Sequence, residues 1–181
     1  MKHAVFIERD GILNQVRIQN RQQFSPRCVE EFLIKDEAVE PLRALKAAGF
    51  LLIVTTTQPG LSRGYLARRE LDRMHQLLGA AFPVDEILTC PHDEMDRCPC
   101  RKPKPGLITE SGFKWHLDLD RCYVISDKWQ DAEAARASGC LSLLVRSPWN
   151  GPVHHYLVLP DLSGVVRKII HLHALSQALV H

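Results

Sequence analysis

Apolar residues in this chain come in short, β-branched runs that alternate with amphipathic stretches. The runs 4–7, 50–56, 86–89, 123–126 and 141–145 predict five strands, nearly all apolar, as strands buried on both faces should be. Between them, 36–48, 65–81, 105–115 and 129–138 show helical spacing. The tail adds a sixth strand at 156–159 and, after Pro160 and Asp161, a final helix at 162–179. Strands alternating with helices predict an α/β fold, a three-layer Rossmann-like parallel sheet covered on both faces, with a minimal cap. Gly49 and Gly139 stand where helix ends want a left-handed residue before strands two and five. Residues 14–35 carry no strong period and are expected to form a loop or small flap near strand one.

Composition adds bounds. The 181 residues fit one domain, 1–181, with a substantial core. With 23 basic and 21 acidic residues the net charge is +2, which gives no argument for a nucleic-acid or membrane partner. Basic residues are frequent in 63–73 and 97–104, but the first run alternates with Glu70 and Asp72 as a solvated helix face does. No stretch approaches the ~20 apolar residues of a membrane span, and the N-terminal apolar run is too short for a signal peptide. The six cysteines are too unevenly spread for a disulfide framework. Cys122 and Cys140 border apolar runs and read as small core residues. A reducing cytoplasm is the expected compartment, and a monomer the default state.

Three of the cysteines and one histidine fall within eleven residues, as Cys90-Pro-His92 and, five residues on, Cys98-x-Cys100. Soft thiolates with one imidazole suit tetrahedral Zn²⁺, and four protein ligands leave no open position, so this zinc-binding loop reads as structural. The competing readings are a chance group of thiols or a redox pair, though C-x-C lacks the redox spacing. Three thiolates and a neutral histidine leave the loop at a charge of −1 with Zn²⁺, which Arg97 and Arg101 can offset. A metal that fixes Cys100 also fixes Arg101 and Lys102 after it, which is the preorganisation a phosphate-binding pair needs.

In open α/β sheets ligands bind at the C-terminal strand ends. Strand one ends in Glu8-Arg9-Asp10-Gly11, and strand two in Thr55 to Gly60. Arg101-Lys102-Pro103 follow strand three, and strand four ends in Ser126-Asp127-Lys128-Trp129-Gln130-Asp131. Hard carboxylate oxygens there can bind Mg²⁺. A hydroxyl and a lysine can hold phosphoryl oxygens, one carboxylate can attack phosphorus, and a second can move the proton. Each of these is weak alone, since an acid after a strand is more often a helix cap. Trp129 and Trp149 are large enough to line a pocket, though a structural role is the plainer reading.

These segments, FIERDGILN at 6–14, TTTQPGLSRG at 55–64, CPHDEMDRCPCRKPKPG at 90–106 and ISDKWQDAEAA at 125–135, resemble the haloacid-dehalogenase (HAD) superfamily. The likeness is to its subfamily IIIA of small sugar-bisphosphate and histidinol-phosphate phosphatases. The resemblance implies an HAD-like fold, Mg²⁺ and Zn²⁺ as cofactors, and hydrolysis of a small phosphorylated substrate such as heptose 1,7-bisphosphate. It also implies roles. Asp10 is the general acid/base with its carbonyl on Mg²⁺, Thr56 the hydroxyl and Lys102 the lysine of the catalytic set. Asp127 is a Mg²⁺ ligand, Asp131 a supporting residue, and Arg101, Thr57, Gln58 and Lys128 contact substrate. Glu8 stands where the family has a nucleophilic aspartate, and could also ligate Mg²⁺. Its extra methylene moves the carboxylate by about 1.5 Å, where a misplacement of about 1 Å can cost on the order of 10²-fold. Glu8 is then a working nucleophile in a readjusted site, a ligand of Mg²⁺ that activates water, or part of a site that binds without turnover. Thr57, Pro59, Ser126 and residues 15–35 also depart from the family pattern and bear on substrate choice.

Overall fold

A computed structural model describes residues 2–152 and 157–178. Six strands form one sheet in which all five pairings are parallel: β1 (Ala4–Glu8), β4 (Leu51–Thr57), β5 (Glu86–Cys90), β6 (Tyr123–Ser126), β7 (Leu141–Val145) and β8 (Leu157–Leu159). Their order is β5-β4-β1-β6-β7-β8. The chain leaves β1 on one side and returns on the other at β6, so β1 stands at the topological switch point.

The period-2 alternation of β1 assigns its side chains to two cores. Val5 and Ile7 pack with Leu42 of α1 (Val39–Ala47), with Leu71, Met74 and Leu78 of α2 (Arg68–Ala81), and with Val165 and Ile169 of α5 (Leu162–Ala178). Ala4 and Phe6 point to the other face, against Ile108 of α3 (Gly106–Trp115) and Ala134 and Ala135 of α4 (Trp129–Ser138). Three layers result, as expected. Cys122 and Cys140 are buried in the second core, the small-residue role read from their surroundings.

The boundaries moved where local hydrogen bonding overrides periodicity. The helix expected from residue 65 begins at Arg68, because the amides of Tyr65 and Leu66 both turn back to the Gly60 carbonyl. The helix expected from 36 opens with a 3₁₀ turn over Asp36–Ala38. Gly49 and Gly139 do take positive φ, 89° and 88°, after α1 and α4. The expected strand start at Tyr156 and helix end at Leu179 lie outside the described residues.

Residues 14–35 hold more order than a loop. An antiparallel hairpin, β2 (Arg17–Gln19) and β3 (Gln22–Phe24), rises from the end of β1 and pairs with itself alone. No helix among the described residues is long and apolar enough to cross a membrane.

Candidate active site and metal centre

The strand ends deliver the expected groups to one edge of the sheet. Glu8, the last residue of β1, pairs in register with Thr55, and β6 ends beside it at Ser126. Glu8, Asp10, Thr57, Arg101, Lys102 and Lys128 line one inner chamber of about 200 Å³, together with Asp131. Thr56 lies behind it, fully buried, its hydroxyl accepting from Gln58 Nε2 at 2.9 Å. Thr57 Oγ1 is buried with no protein partner, which leaves it available to an oxygen in the chamber.

Lys102 connects the acids. Its Nζ lies 2.5 Å from Glu8 Oε2 and 2.5 Å from Asp131 Oδ1. Burial works to lower its pKa, but Asp131 and Glu8 outweigh it and hold the ammonium charged. Glu8 Oε1 accepts from the Asp10 amide at 3.0 Å, so both Glu8 oxygens are held. Burial raises the Glu8 pKa, opposed chiefly by Lys102. Ser126 anchors the far end, its hydroxyl 2.9 Å from Asp131 Oδ2.

Asp10 has the opposite balance. Burial pushes its pKa up, but the Arg9 guanidinium and the Ser25 hydroxyl prevail and keep it below the ordinary carboxylate value. Arg9 is fully buried, 2.9 Å from Asp10 Oδ1, and its Nη1 lies 3.2 Å from His75 Nε2 on α2. Gln58 Nε2 and Ser25 Oγ reach Asp10 Oδ2 at 2.8 and 2.7 Å. Gln23 Nε2 reaches Asp127 Oδ2 at 3.0 Å. Sequence reasoning gave no role to Arg9, His75, Gln23 or Ser25. Only Arg9, beside Asp10 at a strand end, carried any signal.

The oxygens expected to bind Mg²⁺ already attract a cation. Lys128 Nζ donates to the Asp10 carbonyl at 2.6 Å and to Asp127 Oδ1 at 2.6 Å. Gly11 keeps that corner open, since a Cβ there would stand 2.7 Å from Asp127 Oδ2. Hard oxygens, burial and a space closed to any side chain fit a small divalent ion.

The zinc loop passes a metric test. The sulfurs of Cys90 and Cys98 are 3.7 Å apart and those of Cys98 and Cys100 3.5 Å, while His92 Nδ1 lies 3.7 Å from Cys90 and 3.3 Å from Cys100. Tetrahedral bonds of ~2.3 Å to sulfur and ~2.0 Å to nitrogen separate two sulfurs by about 3.8 Å and a sulfur from a nitrogen by about 3.5 Å. Without the ion, burial pushes the Cys100 thiol up to about 12. Zn²⁺ would reverse that by stabilising the thiolate. The loop grips the residues that follow it. Arg101 Nη1 donates to the His92 carbonyl at 3.2 Å, and Lys104 Nζ to the Cys98 carbonyl at 2.8 Å. A Cβ on Gly106 would meet the Pro99 carbonyl oxygen at 2.4 Å, so only glycine lets α3 start this close to the loop.

A family model described as HAD-hydrolase-like matches residues 99–156. The D-glycero-beta-D-manno-heptose-1,7-bisphosphate 7-phosphatase of Pseudomonas aeruginosa is 32% identical over 151 residues, 81% of this chain and 82% of that protein. The enzyme of the same name from Helicobacter pylori is 30% identical over 175 residues, 92% of this chain and 96% of that one. Among solved structures, the D,D-heptose 1,7-bisphosphate phosphatase of B. bronchiseptica, complexed with magnesium and phosphate, superposes with a TM-score of 0.81. It is 26% identical, and the match covers 95% of this chain and 99% of that one.

Proposed function

The chain belongs to the haloacid-dehalogenase-like hydrolases, among the relatives of the heptose-bisphosphate phosphatases, and from that premise we propose that it is a Mg²⁺-dependent phosphomonoester hydrolase. Its substrate on this reading is a small sugar phosphate or bisphosphate of the heptose 1,7-bisphosphate type. The observation that carries the reading is the inner chamber, where Glu8, Asp10 and Lys102 meet beside a loop whose Cys90, His92, Cys98 and Cys100 could hold a metal ion.

Glu8, the Asp10 carbonyl and Asp127 would hold Mg²⁺, which draws charge from the phosphoryl oxygens. Lys102 and the Thr57 hydroxyl take up phosphoryl oxygens, with Thr56 behind them. A Glu8 oxygen attacks phosphorus, and the bond to the leaving oxygen breaks. Asp10 protonates that oxygen. Its resting pKa is low, but the arriving phosphate adds like charge and pushes it up, so the proton is held when it is needed. Asp10 then takes a proton from water, whose oxygen attacks phosphorus and releases inorganic phosphate and Glu8. Arg101 reaches beyond the transferred group, and Gln58 and Lys128 complete the walls. Free, unbridged cysteines suit a reducing cytoplasm, and a monomer is the state this reading takes as its default.

A panel of sugar mono- and bisphosphates with Mg²⁺ tests this. The wild type is expected to release phosphate at least about 10²-fold faster than Asp10→Asn, since a positioned proton donor contributes on the order of 10²–10⁴. Equal rates remove the proposal. A second reading, binding without turnover, has one observation in its favour: both Glu8 oxygens are already engaged.

A further inference from the structure

The Lys102 ammonium is held from three sides. Its Nζ lies 2.5 Å from Glu8 Oε2 and 2.5 Å from Asp131 Oδ1, and it donates to the Thr55 carbonyl at 3.3 Å. An ammonium has three protons, so each has an acceptor. The Thr55 bond is the longest of the three, and it is the one an arriving phosphoryl oxygen displaces at least cost. The two carboxylates therefore set where the ammonium stands, and the placing of Asp131 matters as much as that of Glu8.

Asp131 takes its place from Ser126. The strand β6 ends at Ser126, α4 starts at Trp129, and Asp131 falls in the first turn of that helix. Both residues are buried. The Ser126 hydroxyl accepts from the Lys128 amide at 3.1 Å and donates to Asp131 Oδ2 at 2.9 Å. A hydroxyl carries a single proton, and with the amide on its oxygen that proton is directed at the carboxylate. Among the described residues this is the one hydrogen bond that Oδ2 receives. Asp131 thus grips Lys102 with one oxygen and the strand end with the other. It cannot turn without leaving a buried oxygen unpaired, which is costly.

We propose that Ser126 is a positioning residue: acting through Asp131, it fixes Lys102 at the distance that a glutamate at position 8 reaches. Ser126 and Glu8 then work as a matched pair. With the hydroxyl in place, Lys102 cannot follow a shorter acid. Without it, Asp131 can turn and the ammonium is free to follow. The inference rests on the phosphatase reading for what the inner chamber does.

A cycle of Glu8→Asp, Ser126→Ala and the double variant tests the pairing by two measurements. One is kcat on a sugar phosphate. The other is calorimetric titration with orthovanadate and Mg²⁺, which mimics five-coordinate phosphorus and reports alignment without turnover. Ser126→Ala is expected to lower kcat and vanadate affinity about tenfold, with KM little changed. Glu8→Asp is expected to lower both on the order of 10²-fold. The double variant is expected to recover about tenfold over Glu8→Asp, whereas losses of a merely structural kind would accumulate. Ser126→Gly also lacks the hydroxyl and repeats the cycle if the alanine variant does not fold. A double variant no better than Glu8→Asp overturns the proposal, and so does a Ser126→Ala that matches the wild type. Recovery seen in vanadate binding, with no sugar phosphate hydrolysed by the wild type, leaves the positioning role standing and removes the phosphatase reading. A wild type that neither binds vanadate nor releases phosphate removes both.

Discussion

Glu8 concentrates the chemical question in one methylene. Its carboxylate is held by Lys102 on one oxygen and the Asp10 amide on the other, and Lys102 is itself shared with Asp131. Ser126 secures Asp131 in turn. This chain of contacts is set to the reach of a glutamate. An aspartate would withdraw by about 1.5 Å and leave Lys102 paired with Asp131 alone. Glu8→Asp is therefore expected to lower kcat by on the order of 10²-fold, with KM for a sugar bisphosphate little changed. Steady-state kinetics of the two proteins decide it. A gain of activity in Glu8→Asp would show that the longer side chain restrains the reaction, and would favour binding without turnover. The departures at Glu8 and Ser126 were both visible in the sequence. Their link through Asp131 and Lys102 was not, because it joins residues far apart in the chain, and spacing says nothing about such a contact.

At the scale of elements, the zinc loop and the hairpin differ in legibility for a physical reason. Structural zinc sites draw on few residue types, often at short spacings, so Cys90, His92, Cys98 and Cys100 stood out as candidate ligands before any fold was known. The hairpin strands are three residues each, RIQ and QQF, with mostly polar, exposed or half-exposed side chains. No apolar alternation marks them, and their register follows from a turn whose second residue is not the glycine that would signal it. The loop also invites a measurement. Structural zinc sites contribute folding free energy directly, and here the loop carries Arg101 and Lys102 into the inner chamber. Zinc removal by a chelator, or Cys98→Ser, is expected to lower the melting temperature by several degrees. Phosphate release should fall with it, and added Zn²⁺ should restore both in the chelated wild type but not in Cys98→Ser. Metal analysis that finds no zinc in the purified protein, with a melting temperature indifferent to chelator, would sink the assignment.

For the whole molecule, the layers were legible because burial on two faces makes β1, β4 and β6 apolar up to their last residues, Glu8, Thr55–Thr57 and Ser126, and the crossovers between parallel strands cover both faces with helices. The connection of a helix face to the site was not legible. Met74 and Leu78 of α2 are core residues, as helical spacing predicts, but His75 between them turns to Arg9, and Arg9 to Asp10. Global stability should depend on that link. Burial, then the Arg9 charge, lowers the His75 pKa from 6.5 to about 4, because a protonated ring would be desolvated beside a guanidinium. The folded chain thus resists protonation that the unfolded chain accepts. This contribution is complete above pH 6.5, where His75 is neutral in both states. It declines as pH falls, until the folded state protonates too near pH 4. Between pH 6.5 and 5 the loss amounts to about 2 kcal/mol. His75→Gln keeps an acceptor for Arg9 without a titrating group. Urea unfolding at pH 7 and pH 5 is expected to show the wild type losing about that much more stability than His75→Gln over the interval. Parallel losses in the two proteins would mean that His75 titrates normally and that Arg9 is held by Asp10 alone.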